Sequence, residues 1–285
     1  MCTHDPISCG TSSEPAASQP PSEPAAPNGS LQIELIDVTV GSALAPDSAK
    51  VEGINWRIWA GDYWVVGGSP GSGKTEVMAT AAGLTRPQRG VYRLFGQDMS
   101  RLATDRPLAA RLRVGMVYDG GGRLFHQMTV AQNVALPFCY HRNCSLDEAN
   151  ETVGSLLELM GLSRLAFQRV GGINWSLRQR VGWARALVLK PEALFLDNPL
   201  VGLDAAQVRW SLEFLNRLAD GRDGWNNRRT TLVVSTGDFR PWQRWGRQFA
   251  LLNQGRWLLL GGPAELGSSQ EPLVRQLLSA PFAAG

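Results

Sequence analysis

Gly68-Ser69-Pro70-Gly71-Ser72-Gly73-Lys74-Thr75 follows the apolar run Tyr63-Trp64-Val65-Val66 and fits the phosphate-loop pattern G-x-x-x-x-G-K-[ST]. The apolar run reads as a buried strand and the residues after the loop as a helix, which is the context this chemistry requires. The glycines let successive backbone N–H groups turn inward around phosphates, and the helix that follows aims its positive dipole end at them. Lys74 is expected to neutralise the β- and γ-phosphates, and Thr75 to offer its hydroxyl to Mg²⁺. Glu76 completes the expected nucleotide-contacting set. The chain holds only three lysines, so a chance match to the whole pattern is rare.

Working outward, 285 residues with 44% hydrophobic content suffice for one large core or two modest ones. Residues Met1 to about Ser30 are rich in Pro, Ala, Ser and Glu and lack apolar periodicity. They read as a disordered tail, and residues 279–285 as a short second one. No charged segment followed by an apolar one opens the chain, and no apolar run approaches the roughly 18 residues that span a bilayer. The expectation is a cytoplasmic protein that does not span the membrane. Cys2 and Cys9 fall in the tail and Cys139 and Cys144 in one short stretch, with His141 between them. That spacing fits no zinc pattern, and the thiols read as reduced. A net charge of +3 is too weak to argue for nucleic acid. The ten tryptophans are scattered and read as core and interface residues rather than a base-stacking platform.

Alternation at Ile33 and Leu35, then Val51, Ile54, Trp56 and Ile58, predicts an antiparallel β region ahead of the phosphate loop. The helix opened by Lys74 is expected to stop at Gly83. Strands are predicted at Val91–Phe95, Val114–Tyr118, Ala193–Leu196 and Thr230–Val234, with a hairpin around Gln254-Gly255. Between about residues 120 and 189 the period is helical, and Ser145 with Glu148 forms a capping box ahead of an apolar face.

The spacing from the phosphate loop to Ala193-Leu194-Phe195-Leu196-Asp197, with Arg178–Leu187 as an intervening helix, resembles the nucleotide-binding subunits of ABC transporters. The resemblance covers Leu31 to about Leu278. It implies an α/β fold of the P-loop NTPase class: a RecA-like core sheet, an antiparallel β lobe and an inserted helical subdomain over about 120–189. It also implies ATP and Mg²⁺ as cofactors, a homodimer or heterodimer with another such ATPase, and separate membrane permease subunits as partners. Gly121-Gly122-Arg123-Leu124-Phe125, Thr129-Val130, Asn133–Pro137 and Glu271–Leu278 look most like ATPases of bacterial lipid-trafficking importers of the Mla type. Asp197, at the tip of a buried strand beside the phosphate loop, is expected to hold Mg²⁺ together with Thr75. Leu203-Asp204 resembles the loop that crosses the dimer interface in this family.

Five positions depart from the family pattern, and all concern the γ-phosphate, the attacking water or the adenine. Asn198 stands where a glutamate accepts a proton from water, and an amide cannot accept it at neutral pH. Thr236 stands where a histidine contacts the γ-phosphate; His4, His126 and His141 all precede that strand. Asp119 replaces a glutamine and is either an extra metal ligand or turned away from the phosphates, the second being favoured by charge repulsion. Ile173-Asn174-Trp175-Ser176-Leu177 replaces a Leu-Ser-Gly-Gly-Gln signature, so that an indole is expected in space the glycines leave for the nucleotide of the opposite subunit. No aromatic residue lies between Leu31 and Asn55 to stack on adenine. Both faces of the subunit being altered, the expectation is a nucleotide-binding member with impaired hydrolysis, either a transport ATPase or a regulatory or structural subunit.

Overall fold

A computed structural model describes residues 29–41, 49–99 and 107–279. Almost all of the two expected tails, and with them Cys2, Cys9 and His4, lie outside the described residues. Ten strands join in one sheet in the order β5-β4-β1-β2-β10-β9-β3-β8-β7-β6. In chain order these are β1 Leu31–Gly41, β2 Ala49–Trp59, β3 Tyr63–Gly68, β4 Arg89–Leu94, β5 Gln97–Asp98, β6 Val114–Val117, β7 Ala193–Leu196, β8 Thr231–Thr236, β9 Gln248–Asn253 and β10 Arg256–Gly261. Strands β9, β3, β8, β7 and β6 run parallel, whereas β2, β1, β4 and β5 form an antiparallel lobe. The two regions meet at the single pair Arg256–Glu52 between β10 and β2.

Strands β3, β7 and β8 are buried at every position, as the apolar runs Tyr63–Val66, Ala193–Leu196 and Leu232–Val234 require in a parallel sheet covered on both faces. Alternation along β3 then feeds two cores. Tyr63 and Val65 join the large core. Trp64 and Val66 join the smaller one with the β lobe. Trp56, Trp183 and Trp242 are fully buried, in keeping with a packing role for tryptophan.

The helices are α1 Lys74–Ala81, α2 Pro107–Arg111, α3 Val130–Arg142, α4 Leu146–Leu159, α5 Trp175–Leu187, α6 Ala205–Asp220, α7 Pro263–Ser268 and α8 Pro272–Ser279. Helix α1 ends just before Gly83, which adopts φ 78°. Capping boxes open α3 (Thr129 with Gln132), α4 (Ser145 with Glu148) and α6 (Asp204 with Gln207). Helix α5 starts three residues earlier than Arg178, because the Asn174 side chain accepts the Leu177 N–H at 3.0 Å and caps it there. The β9–β10 hairpin turns through Gln254 and Gly255, both at positive φ, as expected of a two-residue turn. Among the described residues no helix is long and apolar enough to cross a membrane.

Candidate functional site

The phosphate loop joins β3 to α1, and two of its glycines, Gly68 and Gly73, are confined by their surroundings. Gly73 adopts φ 106°, and a Cβ there would lie 2.8 Å from Val51 Cγ2. At Gly68 it would meet the Leu252 carbonyl at 2.6 Å. No side chain caps α1, so the N–H groups of its first turn stay available to an anion. Lys74 Nζ donates to the carbonyls of Gly68 at 2.7 Å and Ser69 at 2.9 Å, curling back over the loop. Burial lowers the Lys74 pKa from its ordinary value, and the charges of Asp197 and Glu76 oppose that shift.

Asp197 follows β7 and is buried. Its Oδ2 accepts the Thr75 hydroxyl at 2.6 Å, and its Oδ1 accepts the Ser235 hydroxyl from the adjacent strand β8. The Thr75–Asp197 pair expected to hold a metal is thus brought together from residues 122 apart, one on the first turn of α1 and the other just past the end of β7. Ser235 also accepts the Asn198 N–H at 3.0 Å, which fixes the peptide after Asp197. Asn198 has φ 46°, a left-handed conformation that asparagine tolerates better than most residues.

The other two replaced positions behave differently. The Thr236 hydroxyl is turned into its own loop, 2.9 Å from the Asp238 carbonyl and 3.0 Å from the Asp238 N–H. The Asp238 carboxylate in turn receives Arg240 Nε at 2.9 Å. Asp119 is exposed as a residue, yet its carboxyl is held above the usual range by partial desolvation and then by the charge of Asp197, against a backbone hydrogen bond from Gly120. It therefore feels the charge of the Asp197 carboxylate.

Trp175 opens α5, and its ring is committed to its own chain. The indole Nε1 donates to the Val201 carbonyl at 3.3 Å. A Cβ on Gly120 would fall 2.2 Å from the ring and one on Gly202 3.1 Å from Nε1. The indole thus sits between the loop carrying Asp119 and the loop that follows Asn198. Within the same segment Ile173 is buried, Asn174 caps the helix, the Ser176 hydroxyl accepts Gln207 Nε2 at 3.1 Å, and Leu177 packs on the large core. Asp204 is occupied as the N-cap of α6, accepting the Gln207 N–H at 2.8 Å, beside Leu203.

Two contributors escaped the sequence reading. Ser235 links Asp197 to Asn198 but is one serine among many by pattern. Lys50, on β2, bonds Glu76 at 2.5 Å and lies along Gly73, so a second cation flanks the phosphate loop. Its signal was its rarity among arginines.

Phosphates and a divalent cation suit this donor set. The first-turn N–H groups are free of side-chain caps, Ser72 Oγ is buried without a partner, and Thr75 with Asp197 offers hard oxygen ligands.

Comparison with known proteins bears on family and fold. Residues 51–201 match the family model described as ABC transporter. The chain is 34% identical over 189 residues to a macrolide export ATP-binding/permease protein MacB of Syntrophobacter fumaroxidans, covering 65% of this chain and 26% of that one. It is 32% identical to a spermidine/putrescine import ATP-binding protein PotA of Thermobifida fusca, over 83% of this chain and 58% of that protein. A probable ribonucleotide transport ATP-binding protein, mkl, of Mycobacterium leprae shares 28% identity over 80% of this chain and 64% of its own length. The chain thus spans less than two thirds of each of these relatives. Among solved structures, the dimeric post-hydrolysis state of the ATP-binding cassette MJ0796 superimposes with a TM-score of 0.70 at 24% identity, over 81% of this chain and 99% of that one. The cbiO1 structure from Clostridium perfringens gives 0.69 at 21% identity, over 88% and 96%. Both likenesses bear on the fold, which is that of an ABC ATPase.

Proposed function

The chain belongs to the ABC transporter family, and from that premise we propose that it is the ATP-binding subunit of a transporter, gripping nucleotide but hydrolysing it poorly. ATP and Mg²⁺ are its ligands. Lys74 and the first-turn N–H groups of α1 take the phosphates, and Thr75 and Asp197 hold the cation, whose charge neutralises phosphate oxygens when bound.

Asn198 carries the impairment. The residue after Asp197 has no carboxylate to accept a proton from water, and its backbone is pinned to Ser235. Loss of a general base typically forfeits about 10²- to 10⁴-fold in rate. Thr236 turns its hydroxyl away into its own loop, which supports the same reading.

Residues 31–278 constitute the nucleotide-binding domain, with about 120–189 as its helical subdomain. The subunit works as a homodimer or heterodimer, peripheral at the inner face of the membrane, under a separate permease. A groove of about 450 Å³ between β6 and α3, lined by Met116, Leu136, Pro137 and Tyr140, supports such docking. The relatives' names span macrolide, polyamine and ribonucleotide transport, so cargo is argued from the resemblance of Gly121–Phe125, Thr129-Val130, Asn133–Pro137 and Glu271–Leu278, which favours lipid. A second reading, a regulatory subunit in which bound ATP holds one conformation, is favoured by Trp175, which bolts the two loops around Asp197 together.

Equilibrium ATP binding measured beside steady-state turnover, in the native chain and in Lys74→Ala, separates these readings from an ordinary ATPase. Binding with negligible turnover is expected. Turnover of about one per second that disappears in Lys74→Ala would refute the impairment.

A further inference from the structure

The corner between α3 and α4 is a helix-ending turn whose two contact positions are both cysteine. Asn143 takes the left-handed conformation at φ 51°, and the Cys144 N–H returns to the Cys139 carbonyl at 3.2 Å. In this turn the residue after the left-handed one packs on the residue five positions before it, a contact usually made by two apolar side chains. Here both positions carry thiols, and Cys139 Sγ donates to the Ser145 carbonyl at 3.4 Å, next in the chain to Cys144. Both residues are partly exposed and both are free thiols.

We propose that Cys139 and Cys144 form a reversible dithiol–disulfide site, oxidised by exchange with a small disulfide such as that of a thiol tripeptide. The backbone turn, not a chance approach of two loops, puts the two cysteines at the positions that pack on one another. Exchange can open at either sulfur; from Cys144 it runs through two displacements. The Cys144 thiolate bonds one sulfur of the small disulfide and expels the other half as a thiol. The Cys139 thiolate then attacks Cys144 Sγ and releases the second half. Two electrons pass from the protein dithiol to the small disulfide, and the two protons end on the two thiols released. The bond formed staples the last turn of α3, which carries Tyr140, 79% exposed, at the wall of the β6–α3 groove. The redox state of the pair therefore sets how freely that wall adapts to whatever docks there.

The test uses the full chain with Cys2→Ser and Cys9→Ser, leaving this pair as its thiols. Reduced protein is treated with oxidised glutathione and examined by intact mass and peptide mapping. The expected result is loss of the mass of two hydrogens, no retained glutathione, a 139–144 cross-link and recovery on reduction. Cys139→Ser should instead retain one glutathione on Cys144. As a measure of proximity independent of oxidation, phenylarsine oxide should block both thiols of the reduced protein at one equivalent. Two retained glutathiones, thiols that stay unreacted, or an arsenical that leaves both thiols titratable would each overturn the proposal.

Discussion

Trp175 Nε1 donates to the Val201 carbonyl at 3.3 Å, tying the first residue of α5 to the loop that leads away from Asn198. The sequence suggested an indole that obstructs a neighbouring subunit's nucleotide. Within its own chain the ring is a wedge, seated over Gly120 and Gly202.

If the wedge fastens these loops, Trp175→Ala should destabilise the protein by about 2 kcal/mol, below the usual cost of a fully buried tryptophan because the ring is 41% exposed. Gly120→Ala should be comparably damaging, since its Cβ would strike the ring at a φ of 69°. Urea unfolding of both single variants and the double variant reads the coupling. The double variant should lose clearly less than the sum of the singles.

Lys74→Ala should lower ATP affinity about 10- to 100-fold by calorimetric titration, the loss of charge-assisted hydrogen bonds to phosphate. Stability without nucleotide should change little or rise. A buried ammonium whose pKa is pulled down by desolvation is a cost to the fold, offset by the two loop carbonyls.

Asn198→Glu should raise turnover by less than about tenfold, far short of a general base's usual 10²- to 10⁴-fold. The residue sits at φ 46°, where glutamate is strained by about 1 kcal/mol and asparagine less so. A steady-state phosphate-release assay decides it, and a rise of a thousandfold would mean the rest of the machinery is intact.

The acid limb of the stability curve should report Glu34. Desolvation raises its pKa, but bonds to Arg93 at 2.6 Å and Arg57 at 3.1 Å outweigh that, and the net shift is downward. A depressed carboxylate stabilises the fold above its unfolded pKa, and that contribution fades as pH falls through the lower folded value. Glu34→Gln should therefore cost about 1 kcal/mol at pH 7, both arginines being half-exposed. The gap to the native chain should close toward pH 3 in melting experiments.

What the sequence revealed is what short-range rules control. The phosphate loop, the capping box at Ser145 and Glu148, the turn at Gln254-Gly255 and the buried strand before Asp197 each depend on residues a few positions apart. The packing of Trp175 within its own chain was not legible, because it depends on Gly120 and Gly202 arriving on the loops that follow β6 and β7. Ser235 was hidden for the same reason: its bond to Asp197 spans 38 residues and follows from β7 and β8 lying side by side. Helix α2 is five residues long and offered no period to detect. The pairing of Lys50 with Glu76 needed the β lobe to fold over α1 before it existed.

Because Tyr63 and Val65 face one apolar interior while Trp64 and Val66 face the other, a six-residue ribbon is the shared spine of both. Neither interior can melt without slackening the loop that issues from its end. Occupancy of that loop by an anion should accordingly be felt by the whole molecule at once, with the amide protons of Tyr63 to Val66 among the last to surrender to deuterium.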